Sequence, residues 1–294
     1  MLIIVIVFIV ALTLTPEVKE ITITPTEYVA LIRIEGPIAY RTQGYTIFTQ
    51  PIGVETTIEL IEEARTDPSV KSVILYINSP GGTATASEAL YYAVKKLSEE
   101  KPVVAYIAEY GTSGAYMAAL PADTIIASES SFTGAIGVYS IIISYKGLLD
   151  KLGIEVYTFK SGKLKDIGSP YRNMTEEDAE VFEEIVSELF TIFKNRVEEH
   201  RDIKDEKVYT GRPFLAKQAL ELGLIDDIGT LDDAKKKARE LAGLPEEAPI
   251  KELEPPRPSL FETLFGLSSQ SNLKILPSYE ILCIWPPPAV IIKT

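Results

Sequence analysis

Cysteine and histidine are nearly missing from this sequence. Cys283 is the only cysteine in 294 residues, so no disulfide can close within the chain and no cysteine-built metal site can form. His200 is the only histidine. It lies among the charges that run from Arg196 to Asp202 and reads as a solvated surface residue. A histidine-rich zinc site is thereby excluded, and a Ser-His-Asp hydrolase would have to use His200. Long basic runs are also absent. With 29 basic residues against 42 acidic ones the net charge is −13, which argues against nucleic acid as a partner and suits a soluble acidic surface. Hydrophobic residues make up 46 %, enough to build a sizeable core in one large or two ordinary domains.

Residues 2–14 are almost wholly apolar and carry no charge. The run is shorter than the roughly 20 residues of a full membrane helix. A signal-peptide core, a membrane anchor and a buried strand are the three readings. No basic segment precedes it and no small-residue cleavage site follows, so residues 1–14 are expected to be an uncleaved N-terminal anchor. Residues 15–26 follow as a polar tether bearing Thr, Pro and Glu. The globular part, residues 27–244, alternates strand and helix patterns. Strands are expected at Val29 to Glu35, Val70 to Ile77, Pro102 to Ala108, Asp123 to Ser128 and Val156 to Phe159. Helices are expected from Glu55 to Asp67, from Thr85 in a capping-box pattern with Glu88, and from Ser144 to Leu152. A long amphipathic helix is expected from Thr175 to about His200, and two shorter ones at 213–222 and 231–242. Asn173-Met174-Thr175 is a glycosylation sequon, meaningful only outside the cell. Residues 245–294 hold nine of the 19 prolines and read as a linker and extended tail.

Two strand–loop–helix units in a row, with glycines at the end of each strand, point to an α/β fold whose ligands gather at the carboxyl ends of the strands. The first loop is Asn78-Ser79-Pro80-Gly81-Gly82. Proline fixes one φ and the glycines free the next two, so the turn can present bare N–H groups. It lacks the lysine of a phosphate-binding loop, and no nucleotide, metal or other cofactor is expected. The second loop is Gly111-Thr112-Ser113-Gly114. A serine at a tight turn between a strand and a helix has its hydroxyl lifted out of the sheet. The same placement describes an ordinary helix N-cap. If Ser113 is a nucleophile, it needs a base. Histidine is effectively unavailable, but a lysine whose pKa falls in an apolar site can serve. Lys160, Lys163 and Lys165, in the loop after Phe159, all qualify by position.

These motifs taken together carry a resemblance. Asn78 to Gly82, Thr112 to Tyr116, Phe132 to Val138 and Ser161 to Pro170, in that order, resemble the signal peptide peptidase A family, peptidase family S49, in its short single-domain form. Val208 to Arg212 and Ala219 to Gly229 are similar too. The likeness runs from about Tyr28 to Leu241. It implies a Clp-protease/crotonase-like spiral of ββα units with C-terminal helices. It also implies a membrane-anchored serine endopeptidase with a Ser-Lys dyad. Ser113 matches the family's nucleophile and Lys165 its general base. Gly82 and Gly114 match the oxyanion-hole positions. Expected substrates are peptides such as released signal peptides and membrane-protein fragments. Family members form homo-oligomeric rings in which serine and lysine can come from different subunits, and the domain is expected outside the cytoplasm on a single-pass anchor. One position departs from the pattern. Ala135 stands where the family usually has a serine that holds the lysine, which leaves Thr133 or a water to orient Lys165.

Two rival readings share the same residues. A crotonase-type thioester enzyme would use the fold and the oxyanion hole but needs carboxylate acid/base groups. A membrane-anchored scaffold ring would keep the assembly and lose efficient catalysis, and Ala135 is the residue that argues for it. The apolar run from Ser278 to Trp285 is expected to pair with a neighbouring subunit, lie on the membrane or occupy the substrate groove. The first of these is the working hypothesis.

Overall fold

A computed structural model describes residues 26–40, 53–255 and, as backbone, 279–284. The expected N-terminal anchor lies outside the described residues. Among those described, no helix is long and apolar enough to cross a membrane.

The centre of the molecule is a mainly parallel sheet. Strands β1 (Tyr28–Glu35), β2 (Val70–Ser79), β4 (Val103–Thr112) and β5 (Thr124–Ala127) lie side by side in that order. They are all parallel, with Leu31 opposite Ile74, Ile74 opposite Val104 and Val104 opposite Thr124. β9 (Asp227–Ile228) extends the β5 edge and β10 (Ile250–Glu252) the β1 edge. The first part of the expected linker therefore closes the sheet. Its backbone pairs with β1 because that edge would otherwise leave N–H and C=O groups open.

Both faces of the sheet are covered, which is why Val73 to Ile77 reads as one apolar run rather than an alternation. Ala30, Ile32, Leu75, Ile77, Ala105 and Ile107 point into the larger core. Helices α1 (Val54–Thr66), α2 (Ala84–Ser98) and α3 (Gly114–Ala119) supply its other side through Leu60, Ile61, Leu90, Val94, Tyr116 and Ala118. Val29, Leu31, Ile74, Val104 and Tyr106 point the other way, onto Ala234 and Ala238 of α7 (Leu231–Leu241). Only small side chains let that helix approach so closely. Ser72 is buried there and donates from Oγ to the Ala238 carbonyl at 2.8 Å, so its hydroxyl is not stranded.

Beyond β5, β6 (Phe132–Gly134) pairs parallel with the far end of β4 and antiparallel with β8 (Pro213–Leu215). A separate small sheet contains β3 (Gly81–Thr83), β11 (Tyr279–Ile284) and β7 (Tyr139–Ile142), with β11 in the middle and antiparallel to both. The segment that begins with α4 (Lys146–Lys151) and ends near Asn173 packs weakly on the rest. The long α5 (Glu176–His200) follows it. Thr175 caps α5 through a reciprocal bond with Asp178, as its sequence suggested. The short α6 (Ala216–Glu221) completes the set.

Three expectations need correction. Val156 to Phe159 is not a strand; its residues are exposed and, among the described residues, none pairs with it. Helix α2 starts at Ala84, so Thr85 lies inside its first turn rather than at the cap, and Thr83, at the N-cap, makes no side-chain cap bond. His200 is half-buried rather than solvated. Its ring meets Tyr91 edge-on at 5.7 Å, its Nε2 lies 3.0 Å from Tyr91 Oη, and burial pushes its pKa down. The tail segment at 279–284 pairs within its own chain, on β3 and β7.

Candidate active site

Parallel pairing brings the ends of β2 and β4 together, with Ser79 opposite Gly111. The two glycine-bearing turns are therefore neighbours, as the strand–loop–helix pattern anticipated. β6 flanks the other side, with Thr112 opposite Gly134.

Ser113 sits where β4 turns into α3. Its backbone has φ +53° and ψ −121°, a conformation that L-residues rarely adopt. Such strain costs on the order of 1–3 kcal/mol and persists only where neighbours over-determine it. Here they do. Ser113 N–H donates to the Gly134 carbonyl at 2.7 Å, and its own carbonyl accepts from Met117 N–H at 2.9 Å. Gly111 allows the turn because a Cβ there would lie 2.7 Å from the Ile107 side chain. Behind it, Tyr116 is fully buried and donates from Oη to the Leu224 carbonyl at 2.7 Å, which pins α3. Ser113 itself is only 1 % exposed. Gly114 is the first residue of α3, so its N–H has no acceptor within the helix.

Gly82 is held more tightly still. Ile38 N–H donates to the Gly81 carbonyl at 2.8 Å, and Thr83 N–H donates to the Ile38 carbonyl at 2.9 Å. Residues 81 and 83 thus spend these groups on Ile38. By strand alternation, the N–H and C=O of Gly82 face the opposite edge. A Cβ on Gly82 would fall 1.8 Å from the Ile38 carbonyl oxygen, so only glycine fits.

Thr133 is buried beside this turn, and its Oγ1 donates to the Gly111 carbonyl at 2.9 Å. Its proton thereby braces the strand end under Ser113. Ala135, at the departing position, also has positive φ, and its N–H donates to the Arg212 carbonyl.

The three lysines separate clearly. Lys160 donates to Asp166 Oδ1 at 2.6 Å, and Lys163 is ion-paired with Glu177. Lys165 is exposed and, among the described residues, has no ion pair. No hydrogen bond joins it to Ser113 among the described residues. Its loop is anchored instead from behind. Arg172 bonds Asp166 Oδ1 at 3.1 Å and pairs with the buried Asp178 at the start of α5. Arg172 holds the Asp178 carboxyl well below the usual carboxylate range, and together with Lys160 it lowers Asp166 as well. This anchor was missed in the sequence, where Asp178 is legible only as a capping partner of Thr175. His200 is bonded to Tyr91 and takes no part in the turn. Among the described residues, no cluster of His, Cys, Asp or Glu is arranged to hold a metal ion.

Comparison with known proteins adds the family. The chain is 43 % identical over 190 residues to a putative protease of Methanocaldococcus jannaschii, covering 64 % of this chain and 61 % of that one. It is 32 % identical over 246 residues to the chloroplastic serine protease SPPA of Arabidopsis thaliana, covering 82 % of this chain and 35 % of that one. The chain thus spans about three fifths of the archaeal relative and about a third of the plant one. Among solved structures, a mutant of a membrane-bound stomatin-specific protease aligns with a TM-score of 0.43 at 15 % identity, over 79 % of this chain and 99 % of that one. The model of peptidase family S49 matches residues 95–245, a span that opens inside α2 and takes in the Ser113 turn, the Lys165 loop and α5. This chain belongs to peptidase family S49.

Proposed function

We propose that the chain is a serine endopeptidase in which Ser113 is the nucleophile and Lys165 the general base. The observation that carries this reading is the Ser113 turn, a buried serine at φ +53° beside a glycine whose N–H faces outward from a neighbouring strand end. Strained backbone of this kind clusters where chemistry is done. Neutral Lys165 takes the hydroxyl proton as Ser113 Oγ bonds to the substrate carbonyl carbon. The N–H groups of Gly82 and Gly114 receive the charge that develops on the carbonyl oxygen. Lys165 then gives its proton to the leaving amine, and water, deprotonated by the same lysine, releases the acyl group from Ser113.

Lys165 is favoured over its neighbours because they are already ion-paired. Its distance in character from Ser113, exposed against buried, fits a dyad completed by a second copy of the chain. The segment that carries it supports this. Leu148, Leu152 and Tyr157 are exposed there, as are Ile141 and Ile143 just before it, and Phe159 is 96 % exposed. An apolar surface of that extent usually meets a partner. Thr133 keeps lone pairs with which to orient the lysine. Substrates on this reading are apolar extended peptides, such as released signal peptides and membrane-protein fragments, met by a domain tethered outside the cytoplasm through residues 1–14.

Cleavage of a fluorogenic apolar peptide by the full chain tests the assignment. Ser113→Ala and Lys165→Ala should each lower kcat by about a thousandfold or more. An equimolar mixture of the two variants should regain part of the activity, since each supplies what the other lacks. Retention of activity by Lys165→Ala would remove it as the base.

A further inference from the structure

The small sheet holds an occupant where the proposed chemistry needs an empty place. β3 and β7 do not pair with each other. They stand one strand apart, about 9–10 Å, and β11 fills the gap antiparallel to both. Leu282 is opposite Thr83, Cys283 opposite Gly82 and Ile284 opposite Gly81. On the other edge, Tyr279 is opposite Ile142 and Ile281 opposite Ser140. Gly82 directs its N–H and C=O toward this side, so the backbone of Cys283 stands against the very N–H assigned to the oxyanion. An extended peptide entering the site would need the same two edges.

We propose that the chain's own segment Tyr279–Ile284 occupies the place of a substrate strand and blocks the site until it is displaced. This rests on the reading of Ser113 and Gly82 given above. The segment recognises the site through backbone pairing on two edges. It is delivered by the proline-bearing stretch 256–278, which makes binding intramolecular. A covalent link of this length supplies an effective concentration on the order of millimolar. Against a free-peptide Kd of about 0.1 mM, the tail weakens outside peptides by about tenfold.

The test uses a fluorescein-labelled peptide of sequence Ser278 to Trp285 and fluorescence anisotropy. The receptor carries Ser113→Ala, so nothing is turned over. Three forms are compared: the full chain, the full chain with Cys283→Pro, and a chain ending at Pro277. Proline at 283 removes the N–H that faces Gly82 while leaving the rest of the tail in place. Both altered forms should bind the peptide about tenfold more tightly than the full chain. Equal affinity in all three, or a gain in only one of the altered forms, overturns the proposal. With Ser113 restored, kcat/KM for a fluorogenic peptide should rise about tenfold in the same two forms. If binding improves while no form cleaves peptide or is labelled by a fluorophosphonate at Ser113, the protease assignment fails and the docked tail stands.

Discussion

Replacing Gly82 with alanine separates what the Gly82 turn does for the fold from what it does for the reaction. The new Cβ would lie 1.8 Å from the Ile38 carbonyl oxygen and 2.5 Å from the carbonyl carbon. Both atoms are backbone, so no rotamer change relieves the clash. The strands must part, and the two bonds that join Ile38 to Gly81 and Thr83 lengthen or break. Two neutral backbone bonds are worth about 1–3 kcal/mol together. Alanine stiffens the unfolded chain and returns about 0.4–1 kcal/mol. The net loss is about 1–2 kcal/mol, small enough for a domain to stay folded. In urea the midpoint should fall by about 0.5–1 M. Activity should fall much further, by about 10²–10³ in kcat, because the displaced N–H no longer meets the oxyanion. Gly243→Ala is the control. Gly243 has φ +65° and open space around it, so alanine there costs about 1–2 kcal/mol of backbone strain remote from the site. The paired readout is urea midpoint and kcat. If Gly82→Ala loses stability like Gly243→Ala but keeps kcat within threefold, the oxyanion role is wrong. If it loses no stability, the account of the Ile38 contact is wrong.

Two further predictions concern the nucleophile turn and the lysine loop. Ser113→Gly should be as inactive as Ser113→Ala yet more stable than it by about 1 kcal/mol, because glycine accepts φ +53° freely; equal urea midpoints would show that the turn is not strained. Asp178→Asn should weaken the anchor of the Lys165 loop in a pH-dependent way. The Asp178 carboxyl is depressed by Arg172, so its contribution is fully present above the unfolded value of about 3.9 and is lost as pH falls through the folded one. The gap in urea midpoint between wild type and Asp178→Asn should therefore be constant from pH 7 to about pH 4 and shrink below it. A gap that does not change with pH would refute the ion-pair account.

The sheet was legible because its signals are local. Val73 to Ile77 and Val103 to Ile107 are continuous apolar runs between turn residues, and such runs have few alternatives to a doubly covered parallel strand. The two glycine turns were legible for the same reason, since Pro80-Gly81-Gly82 and Gly111 to Gly114 restrict the backbone by themselves. The helix at Thr175 announced its own cap. His200 shows where such reading stops. Its charged neighbours in sequence suggested water, but Tyr91, more than a hundred residues away, takes it partly out of water.

What the sequence determined alone was the set of reactive groups: one serine on a strand-to-helix turn, no usable histidine, and three lysines in one loop. Tertiary structure set their surroundings. Lys160 and Lys163 are neutralised by Asp166 and Glu177, partners fixed only when the loop folds back on α5. The strain at Ser113 exists only because Gly134, from another strand, accepts its N–H. The need for glycine at 82 comes from Ile38, across a parallel bridge. The place of the tail was equally closed to sequence reading. A short apolar strand pairs through its backbone, which every residue shares, so its pattern says that it will find an edge and not which edge. Only the gap between β3 and β7 supplies that answer.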